Sequence, residues 1–181
     1  MDTTSAFQRY EAVRATLPQA TFAGQSATGH DLSETMGDYD AYILDAFGVL
    51  NRGEIAIEGA VERMAELRAA DKRLIVLTNA ASYTRAEVLA KYHRLGFDFD
   101  ASEVVSSRDV AFADLPALPK EGIWAAAAAP EDDFNDAPQG VRMVHIKEHP
   151  DILQEAEGVI LLSSAGWQET DTEALITALQ D

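Results

Sequence analysis

The sequence has 181 residues, of which 47% are hydrophobic and none is cysteine. That length suits one ordinary domain, or one domain and part of another, and the lack of cysteine excludes disulfides, thiolate nucleophiles and cysteine-ligated zinc. The net charge of −17 argues against nucleic acid and anionic membranes as partners, because both bind basic surfaces. Neither a signal peptide nor an apolar run of about 20 residues is found, so we expect a cytoplasmic protein.

The N-terminal residues predict an arm without a core of its own. Residues 6–17 place apolar side chains at helical spacing, which predicts a short amphipathic helix. Residues 19–37 are small and polar, with a helical turn expected near residues 31–36. We therefore predict that residues 1–37 form a helical arm.

The next segment alternates between strand-like and helix-like patterns. Residues 42–44 are an apolar run that ends in Asp45, which predicts a buried strand with a carboxylate at its carboxyl end. A loop is expected at residues 51–53, a helix over 58–70, and a second strand over 73–78. Thr84 and Glu87 form a capping box for another helix, which ends at Gly96. Strand, helix, strand and helix in this order predict a parallel sheet.

Beyond this unit the pattern is mixed. We predict strands at 104–105, 141–146 and 158–162, and a helix near 109–115. The alanine-rich run after Trp124 fits a strand or a helix equally well. A capping box at Thr170 and Glu173 predicts a last helix. Asp132, Asp133 and Asp136 are interpreted as a solvated loop, because the spacing of a calcium-binding loop is absent.

Polar groups follow both of the first two strands, Asp45 after one and Thr78-Asn79 after the other. In a parallel sheet the carboxyl ends of neighbouring strands lie at one edge, where ligands bind in open α/β folds. A carboxylate that faces a hydroxyl and backbone amides suits phosphoryl transfer through an aspartyl-phosphate, with a divalent cation to offset the charges. The alternative for Asp45 is an ordinary strand whose aspartate starts a turn.

Two motifs carry a family resemblance. Leu44-Asp-Ala-Phe-Gly-Val-Leu50 resembles motif I of the haloacid dehalogenase-like (HAD) superfamily, and Val76-Leu-Thr-Asn79 resembles motif II. Ile57-Glu-Gly-Ala60 and Val104-Val-Ser-Ser107 resemble subfamily IIA, which includes phosphatases of the p-nitrophenyl phosphatase and nucleotidase type.

This resemblance implies a fold and a reaction. The fold is α/β, with a Rossmann-like parallel sheet as part of the HAD core in residues 38–106 and part of an α/β cap in residues 107–181. The reaction is Mg²⁺-dependent hydrolysis of a small phosphorylated metabolite. Asp45 is the implied nucleophile and Mg²⁺ ligand, the Phe47 carbonyl the second ligand, and Thr78 with the backbone at Asn79 and Ala80 the phosphate site. Trp167 is a candidate for the cap side of the cleft.

Two departures from the family pattern leave alternatives open. Phe47 stands where the phosphatases of the family have a second aspartate, which protonates the leaving oxygen. The dehalogenases of the superfamily have an aromatic residue at this position. Their cap, however, lies between motifs I and II, where this chain has room for only one helix. The expected lysine and Gly-Asp motif after the cap are also missing, since Lys91, Lys120 and Lys147 lack that context. We therefore expect a C-terminally truncated member that is marginally stable or self-associates. The alternatives are a catalytically silent module that binds a phosphorylated ligand or a partner chain, and, less favoured, a receiver-like domain phosphorylated on aspartate.

Overall fold

The computed structural model describes residues 3–21, 24, 26, 28–115 and 122–180, so Lys120 lies outside the described residues. The described chain falls into two compact units, divided between Asp31 and Leu32. In the first unit, helix α1 (Thr3–Val13) is followed by a 3₁₀ turn (Arg14–Thr16). The predicted N-terminal helix is therefore confirmed.

The second unit contains the remaining elements. After a 3₁₀ turn at Leu32–Thr35, its strands and longer helices are, in chain order, β1 (Ala41–Leu44), β2 (Asn51–Arg52), β3 (Ile55–Ala56), α2 (Ala60–Ala69), β4 (Arg73–Thr78), α3 (Arg85–Arg94), β5 (Val104–Ser106), α4 (Ser107–Asp114), β6 (Ile123–Ala127), β7 (Arg142–His145), β8 (Gly158–Leu161) and α5 (Glu169–Ala178). No helix in the described part of the chain combines the length and apolarity needed to cross a bilayer.

Strands β1, β4 and β5 form one parallel sheet in the order β1-β4-β5. Alternate residues of β1 and β4 are buried, as the two-residue period of a strand requires, and they share a core with side chains of α2 and α3. The other face of the sheet is open: Ile43 is 71% exposed and Leu77 is 51% exposed. The predicted α/β fold with a parallel sheet is confirmed, and its helices α2 and α3 pack on the buried face.

A tight turn and a small hairpin follow β1. The Ala46 carbonyl accepts hydrogen bonds from the amides of Val49, Leu50 and Asn51, and Gly48 has φ of 86°, a backbone conformation that glycine adopts at no steric cost. β2 then pairs antiparallel with β3. The prediction of a loop at residues 51–53 is wrong for Asn51 and Arg52, because they pair with Ala56 and Ile55 in this hairpin, which we call the flap (residues 51–56).

Strands β6, β7 and β8 form a second parallel sheet in the order β7-β6-β8. The alanine-rich run is thus a strand. Its side chains alternate between two cores, Ala125 and Ala127 in one and Ala126 in the other. Because β6 is central and buried on both faces, it shows no polar alternation in the sequence.

The last helix begins two residues earlier than its sequence predicts. Gln168, not Thr170, is the N-cap residue of α5, because the Asp171 carboxylate accepts a hydrogen bond from the Gln168 amide at 2.7 Å. The prediction of a capping box at Thr170 and Glu173 is therefore wrong.

The predicted boundary between a core and a cap at residue 106 stays a prediction; it falls between β5 and α4.

Candidate functional site

Asp45 and Thr78 lie at the same edge of the first sheet. β1 and β4 are adjacent and parallel, with Leu44 opposite Val76, so Asp45 follows β1 at the level where β4 ends in Thr78. Neighbouring strands are about 4.8 Å apart, so the two residues end adjacent strands at this edge. The structure thus brings together the two groups that the sequence predicts to meet.

The Asp45 carboxylate is only partly engaged by the protein. Its Oδ1 accepts a hydrogen bond from the Ala46 amide at 2.7 Å, which orients the side chain, and the residue is exposed. Among the described residues no basic side chain pairs with it: Lys72 pairs with Asp40, Lys91 with Glu54 and Lys147 with Asp171. An oriented carboxylate with a free oxygen can act as a nucleophile or as a metal ligand.

The residues at this edge fit a magnesium ion that shares its shell with water and phosphate. Besides the Asp45 carboxylate, the Phe47 carbonyl accepts no backbone hydrogen bond from a described residue. The described part of the chain holds no cluster of three or more acidic or histidine side chains suited to a metal. Mg²⁺ is commonly held by one or two carboxylates together with substrate phosphates and waters, and one carboxylate and one carbonyl agree with that pattern.

The loop after β4 (residues 79–83) is anchored at three points. Ser107 Oγ donates to the Asn79 carbonyl at 2.8 Å, Arg108 Nη1 donates to the Ala81 carbonyl at 3.2 Å, and Ser82 Oγ donates to the Leu162 carbonyl at 3.3 Å. Inside the loop, the Ala80 amide donates to Thr78 Oγ1 at 3.2 Å. A phosphate oxygen at Thr78 would have to replace Thr78 Oγ1 as the acceptor for the Ala80 amide.

Arg108 forms a buried ion network that the sequence analysis missed. Its guanidinium, 1% exposed, donates to both carboxylate oxygens of Asp132 and both of Asp136, at 2.6–2.9 Å. Burial, the largest single influence, would raise the pKa of Asp132, but the hydrogen bonds from Arg108 and the Phe134 amide, together with the charge of Arg108, lower the pKa below its ordinary value. The interpretation of Asp132 and Asp136 as a solvated loop is wrong, because both bind this arginine.

The sequence does contain a signal for this network. Arg108, Phe112 and Leu115 follow one another at i, i+4 and i+7, so the arginine lies on the apolar stripe of α4, and all three are buried. A charged residue on such a stripe needs a buried partner of opposite charge. Aspartates beyond the next strand could have been considered as that partner.

A cavity of about 190 Å³ adjoins the site between the turn after β1 and helix α3. Its lining includes Ala46, Phe47, Thr78, Tyr83, Lys91 and Tyr92. Lys91 lies 3.1 Å from Glu54 of the flap and 5.5 Å from the centre of the Tyr83 ring. Neither Lys91 nor Tyr92 is part of a sequence motif, so the sequence gives no signal for their place beside the site.

A second cavity, of about 290 Å³, lies on the side of the second sheet. Asn79 lines it together with Trp167 and the segment after β8. The indole of Trp167 donates to Thr172 Oγ1 at 2.9 Å. Trp167 thus shares a cavity with a residue of the predicted phosphate site.

Comparisons with known proteins give consistent matches. The family model described as "Haloacid dehalogenase-like hydrolase" matches residues 42–132. Human glycerol-3-phosphate phosphatase is 41% identical over 96 residues, which are 53% of this chain and 30% of the human protein. The chloroplastic phosphoglycolate phosphatase 1A of Arabidopsis thaliana is 33% identical over 79 residues, 44% of this chain and 22% of that protein. The matched region therefore spans less than a third of each of these two relatives.

Solved structures share the fold. A "possible sugar phosphatase" of the HAD superfamily from Cytophaga hutchinsonii superposes with a TM-score of 0.73 at 22% identity, over 86% of this chain and 56% of that one. A glycerol phosphate phosphatase from Mycobacterium tuberculosis, in complex with magnesium, gives a TM-score of 0.60 at 23% identity, over 80% and 42%. The p-nitrophenyl phosphatase of Archaeoglobus fulgidus gives 0.61 at 17% identity, over 79% and 52%.

Proposed function

Because the chain belongs to the haloacid dehalogenase-like hydrolase family, we propose that it acts in the hydrolysis of a small phosphate monoester, with Asp45 as the nucleophile. One observation carries this proposal: Asp45 and Thr78 follow adjacent parallel strands at one edge of the sheet. The matched relatives named as glycerol-3-phosphate and phosphoglycolate phosphatases support a small phosphorylated metabolite as the substrate.

The proposed reaction has two displacements at phosphorus. A free oxygen of the Asp45 carboxylate attacks phosphorus, and the bond from phosphorus to the alcohol oxygen breaks, with its electron pair leaving on that oxygen. Thr78 Oγ1 and the amides after it hold the non-bridging oxygens, which stabilises the charge of the transition state. Phe47 cannot supply a proton, so the departing oxygen takes one from water. A second water then attacks phosphorus, and this step releases inorganic phosphate and regenerates the carboxylate.

Asp45 and the Phe47 carbonyl are the residues that would hold Mg²⁺. When bound, the ion offsets the repulsion between the carboxylate and the phosphate. In the same proposal the second sheet, with Asn79 and Trp167 around one cavity, is part of a cap over the site.

Replacement of Asp45 tests the proposal. Asp45→Asn keeps the size of the side chain but removes the nucleophilic oxygen and its charge, so we expect turnover of p-nitrophenyl phosphate with Mg²⁺ to fall to background. Asp40→Asn is the matched control, because the Asp40 carboxylate is fully exposed and its single ion-pair distance is 3.9 Å. Equal turnover by wild type and Asp45→Asn would refute the assignment of the nucleophile.

The presence of Phe47 favours a second candidate function, that of a catalytically silent module that binds a phosphorylated ligand. Its side chain is 70% exposed at the position where the leaving group needs an acid. Beryllofluoride with Mg²⁺ separates the candidates, since it tests whether Asp45 can form a phosphate-like adduct. Binding of beryllofluoride without turnover of p-nitrophenyl phosphate supports the silent module, and binding with turnover supports the hydrolase.

A further inference from the structure

The cavity of about 190 Å³ beside the site has a buried phenol in its wall. Tyr92 is 3% exposed, and its ring packs edge-on against Phe97 and Phe99, with centroid distances of 6.1 and 5.5 Å. No hydrogen bond from another described residue reaches its hydroxyl. Among the described side-chain polar atoms, only Arg68 Nε is fully buried without a partner, so the Tyr92 hydroxyl keeps some accessible surface and can donate a hydrogen bond to an acceptor in the cavity.

The position of the cavity relates this phenol to the reacting groups. Ala46, which follows the proposed nucleophile, and Thr78, the proposed phosphate ligand, line the same cavity as Tyr92. The pKa of the Tyr92 phenol is raised, chiefly by burial and to a lesser extent by the negative charge of Asp45. The hydroxyl therefore stays protonated at neutral pH and is available as a hydrogen-bond donor.

The other lining groups decide what kind of molecule fits. Most are apolar, with Phe47, Tyr83 and Val88 as the larger ones. The Lys91 ammonium is already paired with Glu54 at 3.1 Å. A volume of about 190 Å³ equals roughly six waters at about 30 Å³ each, which suits a compact molecule and excludes a large one.

We propose that this cavity seats the alcohol part of the phosphate ester, and that Tyr92 donates a hydrogen bond to an acceptor oxygen of that alcohol, distal to the phosphate. The substrate class is a phosphate ester of a compact alcohol. This inference rests on the proposed phosphatase function. It assigns Tyr92 as a specificity-determining residue.

The cavity beside Trp167 is the competing place for the alcohol. It contains Asn79 but neither Ala46 nor Thr78. Two of its polar groups have partners inside the protein: the Trp167 indole donates to Thr172, and Ser163 Oγ accepts from the Ala165 amide.

A pair of isosteric neutral alcohols tests the inference without any need for turnover. 4-Methoxybenzyl alcohol has an ether oxygen where 4-ethylbenzyl alcohol has a methylene, so their affinity ratio, measured by titration with NMR detection, reports a hydrogen bond. We expect the wild-type chain to prefer the methoxy compound by about 2- to 10-fold, the range of one net hydrogen bond. Tyr92→Phe, which keeps the ring packing, should abolish this preference. Tyr42→Phe is the control, because Tyr42 is a buried phenol of the same core that bonds to Thr35.

Three other results would overturn the inference. The same preference for the methoxy compound in wild type and Tyr92→Phe would rule out the proposed hydrogen bond. A failure of both alcohols to bind would rule out the proposed site. Binding that is insensitive to Tyr92→Phe but lost in Trp167→Ala places the alcohol in the other cavity. Tyr92-dependent binding in a chain that cannot turn over p-nitrophenyl phosphate supports the site and contradicts only the phosphatase.

Discussion

Phe47 is the residue at which this chain differs most in chemistry from the phosphatases that it resembles. Its neighbours Ala46 and Gly48 belong to the backbone turn that follows Asp45, so the turn is present while the acid is absent. A positioned acid contributes about 10²–10⁴-fold to rate, and it matters most for esters whose leaving alcohol is a poor leaving group. Any activity should therefore be biased toward esters with acidic leaving groups.

Phe47→Asp is expected to reduce this bias. The new carboxyl group lies two residues after the nucleophile, so turnover of an alkyl phosphate should rise by about 10²-fold, the lower end of the range for general acid catalysis, and turnover of p-nitrophenyl phosphate should rise less. Steady-state kinetics on both esters measure the ratio. Val49→Asp adds the same charge at another exposed apolar position of the turn and should leave the ratio unchanged. A ratio that stays constant in Phe47→Asp would show that leaving-group protonation does not limit the rate.

The residues that the sequence could predict lie at the ends of patterned strands, and those that it could not lie inside helices. Asp45 and Thr78 were predictable because each follows an apolar run that ends in a polar group, and the order of the elements requires parallel strands. Tyr92 was not, because it resembles its helical neighbours in pattern. For Arg108, its place on the apolar stripe of α4 indicates a buried partner but does not identify the segment that supplies it. Arg108 meets Asp132 and Asp136 at 24 and 28 residues' separation.

At the scale of elements, helix α4 links the two sheets. It begins directly after β5 of the first sheet, and Arg108 near its start binds Asp132 and Asp136, which follow β6 of the second sheet. The alanine strand β6 shows a limit of sequence patterns at the same scale. Alanine favours helices by propensity, but the packing of β6 between two cores overrides that preference.

Arg108→Met should be strongly destabilising. The substitution leaves Asp132 as an uncompensated charge with only 7% of its side chain exposed, and removal of one partner from a buried ion pair costs about 3–5 kcal/mol. Urea unfolding measures the free energy of unfolding. Additional replacement of both aspartates by asparagine should recover part of the loss. Arg94→Met, which removes an exposed ion pair to Glu54, should change stability little, and an equally small effect of Arg108→Met would contradict a structural role of the network.

At the scale of the whole molecule, the open face of the first sheet is the feature that most favours association. Parallel sheets are almost always covered on both faces, yet Ile43 and Leu77 on this face are 71% and 51% exposed. β1 is also an edge strand of its sheet, so its outer backbone groups are open to a further strand. An exposed apolar face with a free edge favours association with another polypeptide.

We therefore expect the 181-residue chain to self-associate at micromolar concentration, and Ile43→Glu to reduce this association. The glutamate removes apolar area from the open face and adds charge to it. Sedimentation velocity over a concentration series measures the distribution of species. Ile55→Glu is the control, because Ile55 is equally exposed at 74% but lies in the flap. A wild-type chain that stays monomeric throughout would contradict the expectation.

The three hydrogen bonds that hold the loop after β4 also link distant parts of the molecule mechanically. Ser107 and Arg108 tie the Asn79 and Ala81 carbonyls to α4, and Ser82 ties the same loop to the end of β8. A displacement of the second sheet therefore pulls on the residues beside Thr78 through short, nearly rigid connections. A ligand or a neighbouring protein that binds the second sheet is therefore expected to shift the backbone beside Thr78 from a distance.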